Sequence, residues 1–126
     1  MYEDTGKLKE ALSLLEQVYE VDLMTLGEGH PNTASDLNSL ASVHRRLGNY
    51  QKADQIFTKI ILSDPNYVEG WNKRATIRYL LGDFEKSLED INQVLTRQPR
   101  HFGAISGTAL IHMQNLRYKK ALDSYR

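Results

Sequence analysis

The 126-residue chain has no cysteine. That removes any disulfide framework and any thiolate chemistry, and it fits a reducing, intracellular and cytoplasmic setting. No Asn-x-Ser/Thr acceptor for N-glycosylation occurs. No run approaches the roughly eighteen uncharged apolar residues that a membrane span needs, so no membrane partner is expected. The opening MYEDTGKLKE is acidic and polar where a secretory leader needs a basic and then apolar start. Missing too are Gly-x-Ser-x-Gly, a Walker loop, Gly-x-Gly-x-x-Gly and His-Glu-x-x-His. Ser, His and Asp are scattered as on any helical surface. We therefore expect no catalytic residues, no cofactor, no metal and no enzymatic activity.

What is present describes a soluble globular chain, 40% hydrophobic and 25% charged. Its net charge of zero hides a gradient. Residues 1–30 carry seven acidic and two basic groups, while residues 98–126 carry five basic and one acidic. Nucleic-acid binders usually show a dominant basic face, and only the last quarter is basic here, so no nucleic-acid partner is expected. The two biased ends are either solvated surfaces or a source of attraction between copies.

The chain repeats itself. HPNTASDLNSLASVHRRLGNYQKA, from residue 30, overlays DPNYVEGWNKRATIRYLLGDFEKS, from residue 64. Gly48, Gly82 and Leu116 lie 34 residues apart. So do Tyr50, Phe84 and Tyr118, and the small residues Ala53, Ser87 and Ala121. Pro65 and Pro99 keep that spacing, as do Phe57, Ile91 and Tyr125. Backwards the step lengthens: Gly6, Leu8 and Ala11 stand 42 residues before Gly48, Tyr50 and Ala53.

Each unit reads as two helices, because its apolar positions recur at helical spacing: Leu37, Leu40, Ala41 and Leu47, then Ala53, Ile56, Phe57, Ile60 and Ile61. Leu47-Gly48-Asn49 and Leu81-Gly82-Asp83 supply breaks, since glycine takes the positive φ that ends a helix. Pro65 and Pro99 stop one unit and are expected in the first turn of the next. The pattern predicts helices near 7–25, 32–47, 50–63, 67–81, 84–97, 101–115 and 118–126. Ala41, Ala75 and Ala109 are expected to let paired helices approach closely, with Ala53 and Ala121 opposite them. Two-helix units must stack to bury both faces, which makes a solenoid.

These residues resemble tetratricopeptide repeats, whose 34-residue pattern is W-x₂-L-G-x₂-Y, A-x₃-F and P. Residues 68–101 offer Trp71, Ser87, Ile91 and Pro99, and depart at Arg74, Ala75 and Arg78 where Leu, Gly and Tyr would stand. Residues 34–67 match through Leu37, Leu40, Ala41, Ala53, Phe57 and Pro65. The segment LGEGHPNTASDLNSLASVHRRLGNYQKA is similar to the 42-residue repeats of kinesin light chains. The resemblance implies an all-α, α-α superhelical solenoid of about seven antiparallel helices, truncated at both ends. One array would run over 1–126, with a partial repeat at 1–30, repeats at 34–67 and 68–101, and a partial repeat at 102–126. Tyr2 falls where the family has a tyrosine near the end of a repeat's first helix, and Arg126 falls within a second helix. The chain is thus expected to be an excerpt of a longer array, able to self-associate through uncapped terminal helices.

The resemblance also implies a protein or peptide ligand in a concave groove lined by the first helix of each repeat. Carried over by register, the peptide-binding positions are Ser35, Asn38, Ser42 and Arg45, then Glu69, Asn72, Thr76 and Tyr79, then Ser106, Leu110 and Met113. Asn38 and Asn72 share one face, and an amide ladder can pair with an extended peptide backbone; the bland alternative is that both solvate the groove. Family members that bind chaperones clamp a C-terminal carboxylate, and here the basic pair in the last repeat falls on Gly103 and Gly107, neither of which can hold an anion with a side chain, which argues against that grip. Arg45, Arg46, Lys73 and Arg78 would favour an acidic peptide, unless they are ordinary surface charge. Trp71 reads as a packing residue, and His44 and His112, at one repeat position, as replacements of the family's tyrosine. The function expected is a non-catalytic protein–protein interaction scaffold. The alternatives are a structural or designed module that assembles through its ends, and the recruiting arm of a larger enzyme.

Overall fold

The computed structural model describes residues 5–124, and Tyr2, Tyr125 and Arg126 lie outside them. Helices α1 (Thr5–Leu26), α2 (Pro31–Arg46), α3 (Tyr50–Ser63), α4 (Val68–Leu80), α5 (Phe84–Arg97) and α6 (Phe102–Asp123) follow one another with no strand among the described residues. Each helix packs on the next in chain order, and α4 also touches α6.

The turns repeat as closely as the sequence does. After α2, the Gly48 N–H donates to Arg45 O at 3.0 Å and the Asn49 N–H to His44 O at 2.8 Å. After α4, the Gly82 N–H donates to Tyr79 O at 3.0 Å and the Asp83 N–H to Arg78 O at 2.9 Å. These are paired Schellman caps, and each needs a left-handed residue, supplied by Gly48 at φ 80° and Gly82 at φ 81°. Between pairs, the Tyr67 N–H donates to Asp64 O and the His101 N–H to Gln98 O, each at 3.1 Å. Pro65 and Pro99 sit inside these turns and not in the first helical turn as expected; only Pro31 takes that place.

At Leu116 the prediction of a seventh helix fails. The two helices expected at 101–115 and 118–126 are not separate among the described residues; α6 runs unbroken through Leu116 to Asp123. Leucine in the left-handed region costs about 1–2 kcal/mol, whereas leucine inside a helix is among the best residues. The chain therefore continues where its predecessors turned. No described residue other than glycine has positive φ.

The core is two clusters. Leu40 and Ala41 of α2, Ala53, Ile56, Phe57 and Ile60 of α3, and Ile77 of α4 form the first, with Leu12, Leu15 and Tyr19 of α1 packed against it. Ala75, Ile91, Val94, Ala104 and Ile111 form the second, with Trp71, Tyr79 and Phe84 beside it. Burying each large side chain of this kind contributes roughly 1.5–3 kcal/mol. Ala41, Ala53 and Ala75 are buried at the helix–helix contacts, as their small size predicts. Ala109 and Ala121 are exposed, because among the described residues no helix returns over α6.

Candidate functional site

Two cavities open along α2, α4 and α6, the helices on which the predicted groove residues lie. The first, about 140 Å³, lies between α4 and α6 over α5 and is lined by Asn72, Thr76, Tyr79, Ser106 and Leu110 together with Ile91, Gly103 and Gly107. No charged side chain lines it. A Cβ at Gly103 would meet the His101 ring at 3.1 Å, and one at Gly107 would meet Ile91 Cδ1 at 3.1 Å. The two glycines thus lower the wall of this cavity. Gln114 reaches across from α6 and donates to the Tyr79 hydroxyl at 3.3 Å.

The second cavity, between α2 and α4, is lined by Ser35, Asn38, Ile60, Tyr67 and Lys73 together with Glu28 and Asp64. The Asn38 amide donates to Ala34 O at 3.3 Å, and its buried Oδ1 has no hydrogen-bond partner among the described residues. A buried acceptor left unpaired costs about 1–3 kcal/mol, and this oxygen, like Thr33 Oγ1 and Asp36 Oδ2, is closed to solvent. Asn38 and Asn72 therefore serve different cavities. Of the remaining predicted positions, Ser42, Arg45 and Met113 are exposed and line neither cavity, and the Glu69 carboxylate lies 2.8 Å from His101 Nε2.

The departures at Arg74 and Arg78 have a structural cause. Arg74 donates to both oxygens of Asp90, at 3.0 and 2.8 Å, and to Thr58 Oγ1 at 3.1 Å. Arg78 donates to the same carboxylate at 3.2 Å and to Asp54 Oδ1 at 3.1 Å. Asp90 has only 2% of its side chain exposed. Arg78 is thus committed between α3, α4 and α5, and cannot serve an acidic peptide as the sequence suggested. Asp90 stands where the preceding repeat has buried Ile56, so an acid at an apolar position beside two basic departures was the available signal.

Trp71 packs against the second cluster and donates from Nε1 to Pro65 O at 2.8 Å. The guanidinium carbons of Arg74 and Arg97 lie 5.2 and 5.4 Å from its ring centre, within cation–π range. His44 is buried and its Nδ1 meets the Asn49 amide at 3.3 Å; burial and then Lys52 lower its pKa below the usual 6.5, with Glu16 opposing them. His112, at the same repeat position, is exposed. His30 and His101 have a role the sequence reading missed. Each caps a helix, Nδ1 accepting from the Asn32 N–H or the Ala104 N–H at 3.1 Å. Among the described residues no three His, Asp or Glu side chains converge as a metal site, and no helix is long and apolar enough to cross a membrane.

Pairs of helices joined at Schellman glycines, in a 34-residue register, now stand beside a match of the tetratricopeptide repeat family model to residues 1–61. A second tetratricopeptide model matches residues 68–101. The chain belongs to the tetratricopeptide repeat family. A tetratricopeptide repeat protein from Parabacteroides merdae is similar in structure, 24% identical, with a TM-score of 0.72 over 90% of this chain and 41% of that one. The nearly identical TPR-like repeats from Podosopora anserina described as kinesin light chain are 22% identical, with a TM-score of 0.74 over 94% of this chain and 63% of that one. This tetratricopeptide array thus spans less than two thirds of the length of either. The first TPR domain of Spaghetti (RPAP3), solved bound to the HSP90 peptide SRMEEVD, is 21% identical, with a TM-score of 0.62 over 89% and 93% of the two chains. At these identities the likeness establishes the fold. Curated proteins give no sequence match.

Proposed function

We propose that this array is a non-catalytic scaffold that holds an extended segment of a partner protein along α2, α4 and α6. The observation that carries the reading is the uncharged α4–α6 cavity, which gathers Asn72, Thr76, Tyr79, Ser106 and Leu110 around an apolar floor. Its size suits one medium apolar side chain, while Asn72 and Thr76 can hydrogen-bond the peptide backbone beside it. Asn38 lines the second cavity one repeat away, along the path of the same segment. The RPAP3 domain shows this fold with a peptide bound. The peptide of that complex is acidic, and the cavity here has glycines where a carboxylate grip needs cations, so the anchoring residue of the partner is neutral and apolar.

The test is a peptide-array screen of the chain beside an Asn38→Ala/Asn72→Ala double variant, with both proteins matched in helicity by circular dichroism. Peptides captured by the wild type and lost by the variant, with an apolar residue in common, support the groove. Capture that survives the double substitution moves the site elsewhere.

A further inference from the structure

Two faces, one on α1 and one on α6, carry the register positions that pair helices elsewhere in the chain, and among the described residues neither is covered. Within the chain, α3 lies on α2, and α5 lies on α4, through the same register positions. On the covering helix these positions are Ala53, Ile56 and Ile60, or Ser87, Asp90 and Val94, and all six are buried. Ser87 Oγ donates to Ala75 O at 2.7 Å, and Asp90 takes Arg74 and Arg78, so this face of α5 addresses α4. Forty-two residues before α3, the same positions fall on Ala11, Leu14 and Val18 of α1. There Leu14 is 62% exposed and Val18 46%. Among the described residues no helix lies on this face of α1.

Helix α6 is the reverse case. The face of α4 that receives α5 carries Trp71, Ala75 and Arg78, and the face of α2 that receives α3 carries Leu37, Ala41 and His44. In the next repeat those positions are Ile105, Ala109 and His112. All three are exposed, Ile105 at 49%, and exposed Leu116 continues the stripe at 54%. The missing turn at Leu116 is the cause, since the residues that would have returned over this face extend α6 instead.

We propose that a second copy of this chain covers these faces, with α1 of one copy lying antiparallel on α6 of another to form a helix pair. The contact is heterologous, so each copy offers one half at each end and association propagates as a continuing array. Charge favours the same pairing: residues 1–30 are acidic in balance and residues 98–126 basic, which steers opposite ends together and suppresses like-end encounters. The matching small residues Ala11 and Ala109 occupy the places that Ala53 and Ala41 take in the buried α2–α3 contact.

Sedimentation velocity over a wide concentration range tests this with the whole chain and two variants, Leu14→Glu/Val18→Glu on α1 and Ile105→Glu/Ala109→Glu on α6. Leu14 is 62% exposed, Val18 46% and Ile105 49%, and Ala109 is exposed as well; circular dichroism checks that both variants keep the wild-type helicity. The wild type is expected to grow past a dimer with concentration and to shrink as salt is added. Each variant alone is expected to remain monomeric, and their equimolar mixture to form a dimer and nothing larger. A wild type that stays monomeric throughout overturns the proposal. So does association that stops at a dimer, or that either variant alone retains, because each requires a contact other than α1 on α6.

Discussion

The guanidinium of Arg74 holds both oxygens of Asp90, 2.8 and 3.0 Å away, across the α4–α5 contact. Two arginines share that one carboxylate, which is almost wholly out of water. Replacing it leaves two cations facing each other in a poorly solvated site, a loss of about 3–5 kcal/mol for a pair broken on one side. Asp90→Asn is therefore expected to lower the urea midpoint sharply. Arg74→Leu/Arg78→Tyr/Asp90→Ile, which restores the apolar pattern in one step, is expected to recover most of it. A triple variant as unstable as the single one would show that the charges themselves are required.

Leu116 decides the path of the chain's last quarter, and a single glycine there is expected to redirect it. In a continuous helix Ala109 and Ala121 are about 18 Å apart, far beyond disulfide reach. In a turned pair they oppose each other as Ala41 and Ala53 do. The native chain has no cysteine, so Ala109→Cys/Ala121→Cys is a clean reporter. Oxidation is expected to cross-link it within one chain only when Leu116→Gly is also present.

The Asp36 carboxyl is held above its ordinary 3.8, first by burial and then by the hydrogen bond and charge of Asp22 on α1. A carboxyl with a raised folded pKa makes the native state the better proton binder. Stability is then greatest below the unfolded value of 3.8 and falls as pH rises through the folded pKa. Asp36→Asn is expected to melt above the wild type at neutral pH, with the gap closing as pH falls to 3.8. Thermal melts across that range check the sign.

Gly107 lies inside α6, where glycine costs up to about 1 kcal/mol relative to alanine. The one close neighbour of an added Cβ is the tip of Ile91, which can swing into the cavity it lines. Gly107→Ala is expected to raise stability by several tenths of a kcal/mol to about 1 kcal/mol while narrowing the α4–α6 cavity. Peptides that use this cavity should bind it less tightly despite the more stable fold. Unchanged affinity would place the anchor elsewhere.

Much of the fold was legible because the repeat is written at positions whose physics is local. Gly48 and Gly82 mark their turns by φ alone, helices α2 to α5 begin and end within one residue of the expected places, and α1 ends one residue from its own. The missing seventh helix was misread for the same reason: Leu116 kept its place in the register but lost the chemistry of the turn. The site was less legible. The register placed Asn72, Thr76, Tyr79, Ser106 and Leu110 on helices that do share a cavity, yet it could not see that Glu69 faces His101 or that Arg78 faces Asp90. Those pairings join residues 32 and 12 apart and depend on how neighbouring helices are rotated, which periodicity along one helix does not encode.

Because each helix rests almost entirely on its sequence neighbours, this protein has no keystone. Cohesion passes from link to link, as in a zipper, and fraying that begins at α6 can stop at the α4–α5 contact without reaching α1. Damage, proteolysis or a mechanical pull would then shorten the molecule by steps, and the cluster around Phe57 would remain the last assembled piece.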